Sequence, residues 1–141
     1  MSIFKTTDLS LVNKLNRNTL MEVLGIECVE IGEDFLKVQM PVDHRTHQPM
    51  GLLHGGASAA LIESLGSMGS ALILDLEKEM PVGVEVNANH IGSVRKGTVT
   101  ANGRLVHQGK KTHVWQVDIF DDNTDRMICT GRLTVMIVPR K

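Results

Sequence analysis

The longest apolar stretch of the chain runs from Gly55 to Leu74 and holds a single ionisable side chain, Glu63. At about 1.5 Å per residue, this run predicts roughly five helical turns, about 30 Å long. Leu61, Leu65, Met68 and Leu72 recur at the spacing of one helical face, and Gly56, Ala59, Ala60, Glu63, Ser67 and Ser70 fall opposite. One face is expected to pack on a sheet. The other admits close approach by a ligand or a second chain, with one carboxylate among small residues. That carboxylate is costly unless it is paired, protonated or used.

The flanking pattern supplies the rest of the architecture. Ser10 to Leu24 carries Leu11, Leu15, Leu20 and Leu24 among polar residues, which predicts a helix capped by Asp8 or Ser10 and ended by Gly25. Ile26–Ile31 and Phe35–Val42 alternate as strands joined at Gly32-Glu33-Asp34, and Asp43–Leu53, with Pro49 and Gly51, reads as a loop. Beyond the charged cluster Asp75–Glu79, the segment Val82–His90 alternates as a strand with His90 in the apolar register. Thr98–His107 and Thr112–Phe120 flank the turn Gln108–Lys111, and Arg126–Val138 follows a polar turn. Helix, two strands, long helix, four strands predicts an α+β class: a curved, mostly antiparallel sheet around one central helix. One small sheet leaves the small-residue face of that helix bare, so a homodimer is expected.

Composition narrows the function. The 141 residues suit one domain spanning 1–141. A net charge of -1 and only three Phe, one Trp and no Tyr argue against nucleic acid as partner. Cys28 and Cys129 are too few for a disulfide scaffold or zinc cluster and read as inert core thiols in a reduced, cytoplasmic setting. His44 and His47 lack a third ligand at suitable spacing, so no metal is expected. The long run is not expected to span a membrane, because it carries Glu63, four Ser and four Gly; no signal peptide opens the chain.

Chemistry is expected where the long helix begins. Its first N–H groups have no intrahelical partner, and Gly55 and Gly56 have no side chain to block a carbonyl oxygen approaching them. That is the physics of an oxyanion hole. Glu63 lies two turns on, too far to reach the same carbonyl within one subunit. A second copy packed along the small-residue face brings its Glu63 toward the first copy's Gly55.

The segment His47-Gln48-Pro49-Met50-Gly51-Leu52-Leu53-His54-Gly55-Gly56-Ala57-Ser58, followed by Glu63-Ser64-Leu65-Gly66-Ser67, resembles the hotdog-fold acyl-CoA thioesterases. Gly83–His90 and His107–Lys111 continue the likeness over nearly the whole chain. Within that family it is similar to the phenylacetic-acid-pathway-type branch that includes 1,4-dihydroxy-2-naphthoyl-CoA thioesterases and enterobactin proofreading thioesterases. The resemblance implies a hotdog fold and Glu63 as nucleophile or general base. It implies a thioester carbonyl polarised by the Gly55 N–H, with Gln48 and His54 assisting and Ser67 holding the water or the carboxylate. Gly83, His90, Ser93, His107, Gly109, Lys110 and Lys111 would line the CoA channel, with the two lysines on the phosphates. Gly92 departs from relatives that often carry Arg there, a contact Arg95 can supply. Met68 and Val82 suggest an apolar acyl pocket.

The resemblance further implies no cofactor, coenzyme A being part of the substrate, and two dimers stacked as a homotetramer. A bicyclic or monocyclic aromatic acyl-CoA ranks first, 1,4-dihydroxy-2-naphthoyl-CoA of menaquinone synthesis above all, and an aryl carrier protein second. Plainer readings stand beside these. His54 can merely anchor its loop, His90 can be a core histidine, Ser67 can pack the dimer, and the lysines can be a solvated turn. A dehydratase and a non-catalytic acyl-CoA-binding module are the alternative functions. The first needs His and acid at another spacing, and the second gives no role to the lone acid.

Overall fold

The computed structural model describes residues 1–141. Its strands are β1 (Glu27–Ile31), β2 (Phe35–Val42), β3 (Glu79–His90), β4 (Gly97–Gln108), β5 (Thr112–Asp121) and β6 (Met127–Pro139). They form one six-stranded sheet in the order β1-β2-β4-β5-β6-β3, antiparallel throughout. Period-two alternation sends Leu36, Val38, Met40, Val99, Ala101, Trp115, Val117, Ile119, Leu133 and Val135 to the inner face, where all are buried.

Three helices complete the chain: α1 (Leu9–Lys14), α2 (Leu20–Leu24) and the central α3 (Gly55–Ile73). The sheet wraps α3, which packs against strands β2 through β6. Leu61, Ile62, Leu65 and Leu72 are its large buried residues. Gly69 lets the helix come close, because a Cβ there would collide with the Trp115 ring. By length and hydropathy alone α3 is sufficient to cross a membrane, yet 56% of its most apolar stretch is buried inside the sheet.

The small-residue face is displaced from the one expected. Ser70 is fully buried between helix and sheet, and Gly66 and Gly69 also face the strands. The half-open stripe is Ala59, Ala60, Glu63, Ser64, Ser67, Met68 and Ala71. Large side chains do not define the packed face here, because a curved sheet carrying Trp115 demands glycine opposite it.

The expected single helix over Ser10–Leu24 is two short ones. Asp8 caps α1 by accepting from Ser10 and Leu11 N–H, Asn18 turns to φ 60°, Thr19 caps α2, and Gly25 ends it at φ 72°. Asparagine side chains explain the break, since they compete for backbone partners. Asn13 Nδ2 donates to the Cys28 carbonyl (2.9 Å) while its Oδ1 accepts from the Cys28 N–H (2.9 Å). That carboxamide acts as a one-residue strand laid on the β1 edge.

Candidate active site

Loop 43–54 is tied down before α3 begins. Arg45 forms a forked pair with Asp43, and that guanidinium holds the Asp43 carboxyl well below the usual carboxylate range. The His47 ring bonds to the Arg95 carbonyl at 2.7 Å, and Leu53 N–H donates to Val94 (2.8 Å). Gln48 accepts through Oε1 from the Met50 and Leu52 N–H groups, which leaves its amide NH2 as a free donor.

The first turn of α3 then has one donor to spare. The His54 ring caps the helix: Gly56 N–H donates to His54 Nδ1 at 2.7 Å. Ala57 and Ser58 N–H groups both donate to the His54 carbonyl. Gly55 N–H alone has no acceptor, at the end of the helix where the dipole favours negative charge. It opens on a hollow of about 230 Å³ lined also by Gln48, Ser58, His90, Gly92 and Ser93. A Cβ on Gly55 would stand 2.8 Å from His90 Nε2, so the glycine is what lets the imidazole lie against the helix end. His90 is exposed and at this hollow, not in the core where its apolar register pointed. The strand ends there, and Ile91 and Gly92 N–H groups bond to Ile128 instead of continuing the ladder.

Glu63 lies elsewhere. It borders a groove of about 410 Å³ between α3 and the two N-terminal helices, with Val12, Leu15, Leu20, Met21, Met68 and Leu72 as its apolar walls. No hydrogen bond or ion pair within the chain claims the carboxylate. It rests on Gly83, where a Cβ would collide with Oε2. The sheet register slips between Gly83 and Glu85, and such a bulge re-aims local side chains. Ser67, one turn on from Glu63, lines the same groove.

Hollow and groove share no lining residue, and eight helical residues separate Gly55 from Glu63 by about 12 Å. Of the residues expected to act together, one chain therefore gathers Gln48, Gly55, His90 and Ser93 at one place and Glu63, Ser67, Met68 and Gly83 at another. His54 sits beside the first group as a cap. Val82 lies on exposed β3, and His107, Gly109, Lys110 and Lys111 sit at the β4–β5 turn, outside both. That turn is at the Glu63 end of the sheet: Gly83 pairs with Val135, and Val135 with His113, just past the turn.

The N-terminal groove wall was not among the residues singled out from sequence. Leu15 and Leu20 read as apolar positions of one helix; the Asn-rich break instead sets them along the groove beside α3, where both stay largely exposed. A buried pair was missed as well. Trp115 Nε1 donates to Ser70 Oγ (2.9 Å), and that hydroxyl is also hydrogen-bonded to His113 Nδ1 (2.8 Å). Burial, aided by the nearby charge of His107 and partly opposed by Glu79, pushes the His113 imidazole below its ordinary value of 6.5. Burial also pushes the Cys28 and Cys129 thiols up to about 11, so neither is a ready nucleophile. No three His, Cys, Asp or Glu side chains converge as a metal site would require.

Comparison with known proteins adds the family context. A model of the Thioesterase superfamily matches residues 50–128, from the loop to the start of β6. A thioesterase of Pseudomonas aeruginosa is 46% identical over 99% of this chain and 96% of its own. Its crystal structure, of a Gln-to-Ala variant, superposes with a TM-score of 0.95, covering 99% of this chain and 100% of the other. The 1,4-dihydroxy-2-naphthoyl-CoA hydrolase of Escherichia coli is 43% identical over 92% of this chain and 94% of its own. A Staphylococcus aureus thioesterase, 42% identical with a TM-score of 0.82, covers 85% of this chain with 98% of its own in a Gln-to-Ala structure; another structure of it carries a Glu-to-Ala change.

Proposed function

The chain belongs to the thioesterase superfamily and is a thioester hydrolase with the hotdog fold, and from that premise we propose that it cleaves an aromatic acyl-CoA to the free acid and CoA. The proposed physiological substrate is 1,4-dihydroxy-2-naphthoyl-CoA, at the hydrolytic step of menaquinone synthesis in the cytoplasm. The observation that carries this reading is Glu63: an unpartnered carboxylate on the wall of a mostly apolar groove. Nothing in the fold needs an acid there.

The separation of hollow and groove calls for a second copy. β3 runs past both, with Gly83 under Glu63 and His90 against Gly55. Two β3 edges paired antiparallel, centred near Val86 and Asn87, bring the Gly83 level of one chain beside the His90 level of its partner. Neighbouring strands lie about 4.8 Å apart. One chain then contributes Glu63, Ser67 and the acyl groove. The partner subunit contributes its oxyanion donors.

In that shared site the thioester oxygen accepts from the Gly55 N–H and the Gln48 amide. Glu63 removes a proton from water, whose oxygen bonds to the carbonyl carbon, or attacks that carbon itself to give an anhydride that water then opens. The tetrahedral oxyanion collapses, the C–S bond breaks, and CoA leaves as the thiol after taking up a proton. No cofactor enters. The pantetheine leads away from Glu63 toward the β4–β5 turn, where Lys110 and Lys111 meet the phosphates, with His107 and Gly109 along the way; the partner subunit's Ser93 stands beside its oxyanion donors. The Gln-to-Ala and Glu-to-Ala changes in the Staphylococcus aureus structures lie fifteen positions apart, the spacing of Gln48 and Glu63, which supports giving both residues a role.

Release of CoA from a panel of aryl and alkyl acyl-CoA substrates tests this. Aromatic thioesters should give the highest kcat/KM, with 1,4-dihydroxy-2-naphthoyl-CoA first, and Glu63→Gln should lower kcat about a thousand-fold with the fold retained. Faster cleavage of an aryl carrier-protein thioester would move the physiological substrate there. Undiminished turnover by Glu63→Gln would end the mechanism.

A further inference from the structure

Opposite α3, one side chain that lines the acyl groove keeps a polar atom without a partner in the fold. Asn16 follows α1, is only 6% exposed, and lines the groove with Glu63, Ser67 and Met68. Its Nδ2 donates to the Ile26 carbonyl (3.1 Å) and reaches Asn13 Oδ1 at 3.4 Å. Those two acceptors fix the direction of the amide, because turning it over would set Oδ1 against two other oxygens. Oδ1 accepts nothing from the chain. Since no fully enclosed side-chain oxygen or nitrogen lacks a partner, this atom is not sealed in the core. Asn16 stands between the groove, whose walls here are the apolar Val12, Leu15, Leu20, Met21 and Leu72, and a polar hollow beside Arg17, Glu22 and Arg45.

We infer that Asn16 is a specificity-determining residue for the acyl group, its Oδ1 accepting a hydrogen bond from a hydroxyl on the aromatic ring. This deepens the proposed function and rests on the groove being the acyl site. Glu63 is on the α3 wall and Asn16 on the facing N-terminal wall, so a ring whose carbonyl is at the carboxylate extends toward Asn16. Thr19 on the same wall is more fully engaged. Its hydroxyl donates to the Asn16 carbonyl (2.6 Å) and its oxygen caps α2 by accepting from Met21 N–H (3.2 Å).

An apolar groove alone separates a ring from its hydroxylated form poorly, whereas a site with a preset acceptor rejects the analogue that leaves it unsatisfied. The acceptor end of the amide is held rigidly by the donor end, so little ordering is left to be done on binding.

The test compares kcat/KM for CoA release from benzoyl-CoA and its hydroxy, fluoro and methoxy derivatives at each ring position, in wild type and Asn16→Leu. In wild type one hydroxy isomer should exceed its fluoro and methoxy counterparts by about ten- to a hundred-fold. In Asn16→Leu that ratio should fall close to one. A change that slows hydroxy and fluoro substrates equally marks a structural role and overturns the inference. So does a wild-type ratio near one at every position. Fluorine fills the position without donating, so the wild-type series decides even if Asn16→Leu does not fold. Hydrolysis of aroyl-CoA without hydroxyl discrimination defeats this inference alone, while no hydrolysis of any aroyl-CoA defeats the broader reading with it.

Discussion

At the β1 edge of the sheet, Asn13 saturates the Cys28 backbone with its side chain and Asn16 covers Ile26, so α1 closes what the strand leaves open. At the β3 edge nothing comparable happens. Strand β3 spans 12 residues, pairs only with β6, and exposes Val82, Val84 and Val86 at 39%, 52% and 37%. Long apolar edges invite further pairing, and folds that stay single blunt them with charge, proline or a covering element. Here Glu79, Pro81, Glu85 and the bulge at Gly83–Glu85 blunt it only locally, and β3 touches both halves of the proposed site. One edge is finished within the chain. The other is finished, on the shared-site reading, by a second copy that also completes the chemistry.

The largest effect should come from spoiling the open edge. Val84→Asp places a charge on β3 at the bulge without touching Glu63 or Gly55. Sedimentation should report a single chain, and CoA release should fall about a thousand-fold, since the acid then lacks its oxyanion donors. A single-chain species of full activity would dismiss the shared site. A sharper version mixes two dead proteins, Glu63→Gln and Gln48→Ala. After subunit exchange, half the dimers are mixed and each regains one intact site of two, so about a quarter of wild-type activity should return. A site built within one chain restores nothing.

The closed edge should respond differently. Asn13→Ala removes its two bonds to the Cys28 backbone and the longer one from Asn16 Nδ2, which keeps the Ile26 carbonyl as its acceptor, a loss of about 1–3 kcal/mol in denaturant unfolding. Because Asn13 does not line the groove, kcat/KM should stay within about threefold of wild type. Loss of activity at unchanged stability would place Asn13 in the site and erase the contrast between the edges.

Much of this was legible in the chain itself. Strands β2, β4, β5 and β6 follow alternating runs to within a residue or two, and α3 begins at the glycine pair. The family followed from the residues around Gln48, Gly55 and Glu63, and the sequence comparison agrees. What escaped depended on contacts between distant segments. The Leu11–Leu24 pattern is helical in period, but Asn13 and Asn16 have better partners on β1 than the helix offers. His90 reads as core because it shares a register with Val82 and Val84, and no periodicity reveals that the whole strand is an edge. Ser70 reads as an open-face residue because nothing local announces that Trp115 and His113 sit opposite it.

The smallest predicted effect belongs to that buried trio, which should be the same at either edge. His113 is 1% exposed and neutral in the fold, with Nδ1 hydrogen-bonded to Ser70 Oγ. Burial and the charge of His107 lower its protonation below the ordinary 6.5. Above that value folded and unfolded chains are both neutral there and the contribution to stability is complete. As pH falls through 6.5 the unfolded chain takes up a proton that the buried ring resists. Stability then declines with a slope approaching about 1.4 kcal/mol per pH unit, until the folded ring titrates too. His113→Gln keeps an amide within reach of Ser70 and removes the titration, so its unfolding free energy between pH 7 and 5 should be flatter than wild type by about that slope. Parallel curves would mean that the ring takes its proton as readily in the core as in water. The imidazole would then be held by the Ser70 hydrogen bond alone, without the desolvation that its burial under the sheet requires.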